Sequence, residues 1–134
     1  MIRGIHHIAI AVRSLDEALA RYVDDLGLEL RGTDIVPSEQ VRVAILRAGT
    51  TRIELLEPTS PESPVAKFLD KRGPGLHHIA FAVDDAGTVV RHLADRGMPC
   101  LAPAPRPGAH GTTVAFVHPK HLAGVLAELV QEPS

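Results

Sequence analysis

A histidine motif occurs twice in this chain, and the repeat constrains the fold more than any other feature of the sequence. The copies read IHHIAIAV and LHHIAFAV, and their second histidines are His7 and His78, 71 residues apart. A glutamate within an apolar stretch also recurs, as Glu54 and Glu128, with an offset of 74 residues. A duplicated module can bring equivalent side chains together at its pseudo-two-fold axis. The repeat therefore predicts that two imidazoles and two carboxylates converge on one point.

Hydrophobic periodicity predicts the same order of elements in both halves of the chain. A capping box at Ser14 begins a helix in the first half, and Gly27 ends it. The other predicted elements of that half are strands, at 4–12, 28–33, 41–47 and 52–57. A short helix follows at 65–71. The second half has a helix at 86–95 and strands at 76–83, 99–102, 112–117 and 125–131.

These elements predict an α+β fold of two tandem βαβββ modules within one domain. Module 1 covers about residues 1–57, the linker helix about 58–74, and module 2 about 75–134. Strand alternation places His7 and His78 on faces with small alanines, which indicates a concave surface. The preceding histidines, His6 and His77, point to the opposite faces. We assign them to packing or hydrogen bonding.

The four repeated residues favour a metal site over an ordinary core. A buried carboxylate is costly unless it is paired or coordinated, and a divalent cation offsets two of them. Two nitrogen and two oxygen donors suit Co²⁺, Mn²⁺, Ni²⁺, Fe²⁺ or Zn²⁺. A closed structural zinc site is disfavoured, because Cys100 is the single cysteine.

Charge and composition exclude several other classes of protein. The formal net charge of −2 provides no basic field for nucleic acid. No uncharged apolar run has the length that crosses a bilayer. The first residues lack the form of a signal peptide, and one cysteine cannot form an intrachain disulfide. We therefore expect a cytoplasmic protein with neither a nucleic-acid nor a membrane partner.

With this repeat and element order, the chain resembles the vicinal-oxygen-chelate (glyoxalase-like) superfamily, and within it the methylmalonyl-CoA epimerase family. The closer resemblance is carried by residues 53–58, by 63–69 running into 75–81, and by HPK at 118–120 followed by 124–129. It implies a cup-shaped mixed sheet with helices on its outer face, closed around one metal ion, Co²⁺ or Mn²⁺ being favoured. It also implies a homodimer.

The resemblance implies specific roles for the repeated residues. His7, His78 and Glu128 are the implied ligands, and Glu54 falls at the fourth ligand position. Some relatives carry a glutamate on the third strand as a second proton-transfer group, but here Val43 stands at that place. The second acid/base is therefore unassigned by the resemblance.

The implied activity is the interconversion of (2R)- and (2S)-methylmalonyl-CoA by abstraction of the C2 proton through a metal-stabilised enolate. We predict Glu128 as one proton-transfer group and Glu54 as the other. The loop histidines His110 and His118 are reserve candidates. Basic residues near the mouth of the cup are predicted to bind the phosphates of the acyl-CoA substrate: Lys67, Lys71, Arg72, Arg106 and Lys120.

Three alternatives stay open at this point. A glyoxalase I-type lactoylglutathione lyase would use the same four ligands, although the HPK stretch and the linker helix favour the epimerase. An extradiol dioxygenase would need Fe²⁺ with two histidines and only one carboxylate. A non-enzymatic small-molecule-binding module of the same fold would have an apolar cup without ligands.

Overall fold

The computed structural model describes all 134 residues and contains eight strands and three α-helices. The strands are β1 (Ile2–Ala11), β2 (Glu29–Val36), β3 (Val41–Ala48), β4 (Thr51–Pro58), β5 (Gly75–Val83), β6 (Arg106–Pro107), β7 (Thr113–Val117) and β8 (Ala127–Gln131). The helices are α1 (Leu15–Leu19), α2 (Pro64–Arg72) and α3 (Ala86–Asp95). This order confirms the α+β class and the two βαβββ modules. None of the helices combines the length and apolar character that a bilayer crossing requires.

The chain divides into two compact units. One unit comprises residues 7–77, and the other comprises residues 1–6 together with 78–134. Within the first, the strand order is β2-β3-β4-β1, and within the second it is β5-β8-β7-β6. Each unit has one parallel pair, β1 with β4 and β5 with β8, while its other pairs are antiparallel. The parallel pairs carry the repeated motifs.

The first helix begins as the capping box predicts but changes its character halfway along. The Ser14 hydroxyl accepts a hydrogen bond from the Glu17 amide at 3.2 Å. After α1 the backbone continues as a π-helix, Ala20–Asp25, in which the Leu26 amide donates to the Arg21 carbonyl five residues earlier. The expectation of one uninterrupted α-helix is therefore wrong, although its predicted stop at Gly27 is confirmed by a φ of 80°.

In the unit of residues 7–77, both faces of the sheet are covered by helices. Leu15 of α1 packs with the fully buried Leu46 and Leu55 on one face. On the other face, Val65 and Leu69 of α2 belong to a core cluster that includes these strand residues: Ala9, Ala11, Val41, Val43 and Leu56. The second cluster lies on the face that bears His7, because alternate residues of a strand share a face. The linker helix thus covers part of the face that the histidine occupies.

In the other unit, α3 packs on one face only. Val89 of α3 lies in a cluster with Ala115 and Leu129, and Asp85 caps the helix by accepting from the Thr88 amide at 3.0 Å. The opposite face carries a smaller cluster of Ala80, Val114 and Val130, with Phe116 beside it. The prediction that the bulkier strand faces lie under the module helices is confirmed in both units.

The sixth strand is displaced from its predicted position. Residues 99–102 form no strand, and β6 consists of Arg106–Pro107, inside the segment expected to be a loop. Only the Leu101 amide in the predicted stretch hydrogen-bonds towards β7, at 2.9 Å from the Phe116 carbonyl. Pro99 and Pro103 lack amide protons, so this stretch cannot form a continuous ladder.

Replacement of Leu55 by alanine should lower the free energy of unfolding by about 2–5 kcal/mol, because Leu55 is fully buried beneath α1 and truncation leaves a cavity. Urea denaturation followed by circular dichroism measures this loss. The matched control is Leu26→Ala, since Leu26 is 68% exposed, and its effect should stay within about 0.5 kcal/mol. Equal losses for the two variants would contradict this packing.

Candidate metal centre

The first His–Glu pair lies on the parallel strands β1 and β4. Glu54 is opposite Ala9 in the strand register, so it shares a face with His7, two residues earlier on β1. The Nδ1 atom of His7 lies 3.6 Å from Oε2 of Glu54. Both residues are buried, with 6% and 9% exposure respectively. These two atoms are farther apart than hydrogen-bond length, so the imidazole and the carboxylate are neighbours that are not hydrogen-bonded through this pair of atoms.

The second pair repeats this arrangement on β5 and β8. Glu128 is opposite Ala80, and His78 again lies two residues before that alanine. The Nε2 atom of His78 lies 3.1 Å from Oε1 of Glu128, and only 13% of the Glu128 side chain is exposed. The equivalence seen in the sequence therefore extends to strand register. The two copies share their strand pairing but not their loop lengths. The histidines and the glutamates therefore recur at different offsets.

The two pairs differ in the neighbour of the carboxylate. Arg52, two residues before Glu54 on β4, donates from Nε to Oε2 of Glu54 at 2.8 Å. The corresponding residue in the second copy is Leu126. No role was assigned to Arg52 from the sequence. Its signal was the i, i+2 spacing on one strand.

The donor types fit a divalent cation. Each unit supplies one buried imidazole and one carboxylate with little exposure, and these are the ligands that borderline and hard divalent ions prefer. Neither pair includes a thiol, and Cys100 lies elsewhere, in the cluster beneath α3. Burial raises the pKa of the Cys100 thiol, which disfavours the thiolate that a metal would need.

Comparison with known proteins places the chain in a family. The model of the glyoxalase/bleomycin resistance protein/dioxygenase superfamily matches residues 6–116. The chain belongs to this superfamily.

Among relatives in the superfamily, the ethylmalonyl-CoA/methylmalonyl-CoA epimerase of Cereibacter sphaeroides is 40% identical over 133 residues, which are 98% of this chain and 99% of that protein. Human mitochondrial methylmalonyl-CoA epimerase is 39% identical over 128 residues, covering 95% of this chain and 73% of the relative. A variant of Streptomyces coelicolor methylmalonyl-CoA epimerase, solved in complex with 2-nitronate-propionyl-CoA, shares 36% identity with a TM-score of 0.90 and complete coverage of both chains. The similarity thus extends over essentially the whole chain.

The first histidines of the two doublets contact other residues. The Nε2 atom of His6 is hydrogen-bonded to Oε1 of Glu132. The ring of His77 packs edge-on against Phe68, with centroids 4.9 Å apart. The expectation of packing or hydrogen bonding is therefore confirmed for both.

Val43 contributes no proton-transfer group. It lies opposite Leu56 in the β3–β4 ladder and is 5% exposed. It belongs to the cluster that includes Val65 and Leu69 of α2. On its other side, in the β2–β3 ladder, Val43 lies opposite Asp34.

The reserve histidine His118 has a structural contact of its own. Its Nδ1 atom accepts from the Lys120 amide at 2.9 Å and caps the 3₁₀ turn Pro119–His121. His118 and Lys120 are both exposed. His110 lies in another short turn with a φ of 56°.

The predicted phosphate-binding residues fall on different elements. The Arg106 guanidinium stacks 5.2 Å from the centroid of the Phe116 ring. Phe116 lies opposite Glu128 in the β7–β8 ladder and contacts the His78 ring edge-on, with centroids 6.0 Å apart. Lys67 is exposed on α2, the helix that also carries Lys71 and Arg72. Arg106 is thus one aromatic ring away from the second His–Glu pair.

Replacement of His118 by alanine should lower the free energy of unfolding by about 0.5–2 kcal/mol, because the Lys120 amide loses its acceptor. His118→Asn should retain most of that stability, since the asparagine oxygen can accept the same hydrogen bond. Thermal denaturation by calorimetry compares the variants. Identical melting temperatures for wild type and His118→Ala would show that the cap contributes nothing.

Proposed function

We propose that this chain is a divalent-metal-dependent epimerase that interconverts (2R)- and (2S)-methylmalonyl-CoA. The observation that carries the proposal is the pair of buried His–Glu arrangements in equivalent strand register, one in each unit. Similarity over nearly the whole chain to proteins named as methylmalonyl-CoA epimerases supports the substrate class. The alternative functions are those of a lactoylglutathione lyase and of a non-enzymatic binding module with the same fold. Assays of metal binding and of turnover distinguish them from the epimerase.

The proposed metal ligands are His7, His78 and Glu128, with Glu54 as the fourth. Burial of both imidazoles and the 13% exposure of the Glu128 side chain support this set, because a divalent cation offsets the cost of a carboxylate with little access to water. Co²⁺ and Mn²⁺ are the favoured ions, and Ni²⁺, Fe²⁺ and Zn²⁺ are compatible. The bound ion would supply Lewis-acid stabilisation of negative charge developing on the thioester oxygen.

Epimerisation at C2 requires removal of a proton from one face and return of a proton to the other. We assign Glu128 to one of these transfers and Glu54 to the other. The register opposite Ala80 and Ala9 supports both assignments, because a methyl side chain leaves space beside each carboxylate. Val43 offers no competing group on the third strand.

The substrate's CoA portion carries phosphates, for which we propose Arg106, Lys67 and Lys120 as partners. Arg106 is supported by its stacking on Phe116, beside the His78 pair. Lys67 and Lys120 are supported by their exposure on α2 and on the capped turn. Loss of either lysine should act on substrate binding rather than on proton transfer.

We also propose a cytoplasmic homodimer, as the family resemblance implies. Ile2 and Ile5, at the beginning of β1, expose 50% and 55% of their surfaces, which supports association through apolar contacts. Sedimentation velocity of the purified chain distinguishes a dimer from a monomer.

His7→Ala should weaken divalent-metal binding at least about tenfold, because one of the proposed ligands is lost. The neighbouring His6→Ala is the matched control and should leave metal affinity near that of the wild type, since His6 pairs with Glu132 instead. Equilibrium dialysis with elemental analysis measures both. Equal effects of the two substitutions would contradict the assignment.

Glu128→Gln should lower kcat for C2 epimerisation by about 10²–10⁴-fold, the usual contribution of a positioned proton-transfer group. The assay follows deuterium incorporation at C2 of methylmalonyl-CoA in D₂O by mass spectrometry. Glu132→Gln removes a carboxylate outside the proposed ligand set and should leave kcat unchanged. Wild-type-like exchange by Glu128→Gln would refute its role, and turnover of only a glutathione hemithioacetal would refute the substrate.

A further inference from the structure

The guanidinium of Arg52 contacts one of the proposed metal ligands, Glu54. Its Nε atom donates to Oε2 of Glu54 at 2.8 Å, and only 25% and 12% of the two side chains are exposed. A charge-assisted hydrogen bond of this length, largely shielded from water, holds its partner more firmly than a surface ion pair does. The same Oε2 atom is the one that faces Nδ1 of His7.

The strand register explains why Arg52 turns towards Glu54. Arg47 of β3 lies directly opposite Arg52, so two like charges meet across the ladder, an unfavourable arrangement. Arg47 donates instead to the carbonyl of Thr50 at 3.2 Å. On the far side of Arg47 in the register lies Glu29, whose carboxylate pairs with Arg31. Glu54 is therefore the carboxylate to which Arg52 binds.

We propose that Arg52 is a positioning residue for the metal centre, because its hydrogen bond to Oε2 restrains the carboxylate of Glu54. This inference rests on the proposed function, because it requires Glu54 to be a metal ligand. A carboxylate with one oxygen held by a guanidinium has its rotation restricted before an ion binds. Partners of this kind orient metal ligands and influence metal affinity.

The second copy of the repeat has no such device. Leu126 occupies the position equivalent to Arg52, so no guanidinium on β8 restrains Glu128 from two residues away. The guanidinium contact from two residues earlier on the strand is therefore specific to Glu54, whereas Glu128 lies 3.1 Å from the Nε2 atom of His78.

Arg52→Met tests this inference, because methionine keeps much of the aliphatic volume and removes every donor. Affinity for Co²⁺, measured by competition with a chelating dye, should fall about 10–100-fold. The visible absorption spectrum of the Co²⁺-loaded protein should also change, since the oxygen donor of Glu54 is no longer restrained. Arg52→Lys should recover part of the affinity, as the charge returns without the guanidinium geometry.

Two controls separate positioning from a general effect on the fold. Arg47→Met removes the guanidinium opposite on the same face and should change Co²⁺ affinity less than about twofold. In a Glu54→Ala background, Arg52→Met should cause no further loss, because there is no carboxylate left to hold. Circular dichroism confirms that each variant is folded, and if Arg52→Met unfolds, Arg52→Lys decides by its intermediate affinity.

Three results would overturn the inference: unchanged Co²⁺ affinity and spectrum in Arg52→Met, an equal loss in Arg47→Met, or the same loss when Glu54 is already absent. None of these readouts depends on turnover. The inference and the proposed function can fail separately. If Co²⁺ affinity depends on Arg52 through Glu54 but the protein does not exchange the C2 proton, the positioning role is upheld and the epimerase is refuted. Failure of both would point to a different ligand set.

Discussion

The parallel pairing of β1 with β4, and of β5 with β8, is the constraint on which the proposed site depends. Each pairing places a glutamate opposite an alanine and beside a histidine two residues away. Because side chains alternate across a strand, a slip of one residue would turn Glu54 onto the face beneath α1. A carboxylate there would lie among Leu15, Leu46 and Leu55 without a partner. The register is thus enforced by the apolar cores as well as by the ladders.

The helices determine how much of each histidine-bearing face stays available. α1 and α3 pack on the opposite faces of their sheets, where the bulky strand residues lie. Through Val65 and Leu69, α2 instead covers part of the face that carries His7. This packing makes Val43 a core residue. Its side chain therefore contributes to packing against α2 and carries no group that can transfer a proton.

Internal duplication need not keep its two copies chemically identical. The strand register is the same in both units, yet Glu54 has an arginine on its strand and Glu128 has a leucine at the equivalent place. Equivalent strand geometry therefore coexists with different neighbours, and a guanidinium two residues earlier contacts the carboxylate in the first copy alone. The same divergence is seen at β3 and β7, where Ile45 stands opposite Glu54 and Phe116 opposite Glu128. Phe116 in turn supports the guanidinium of Arg106, which stacks on its ring.

The α+β class, the module order and the pairing of each histidine with its glutamate follow from local patterns along the chain. Period-two alternation and the capping signals of Ser14 and Asp85 act within a few residues, so they can be recognised in the sequence. The π-helical turn after α1, the place of β6 and the cap provided by His118 could not be recognised in this way. The strand β6, for example, is defined by its pairing with β7, where Arg106 lies opposite Val114, and not by a pattern in its own two residues. The hydrogen bond from Arg52 to Glu54 could not be recognised in the sequence either. It depends on folding, which brings Arg47 opposite Arg52 and shields this face of the sheet from water.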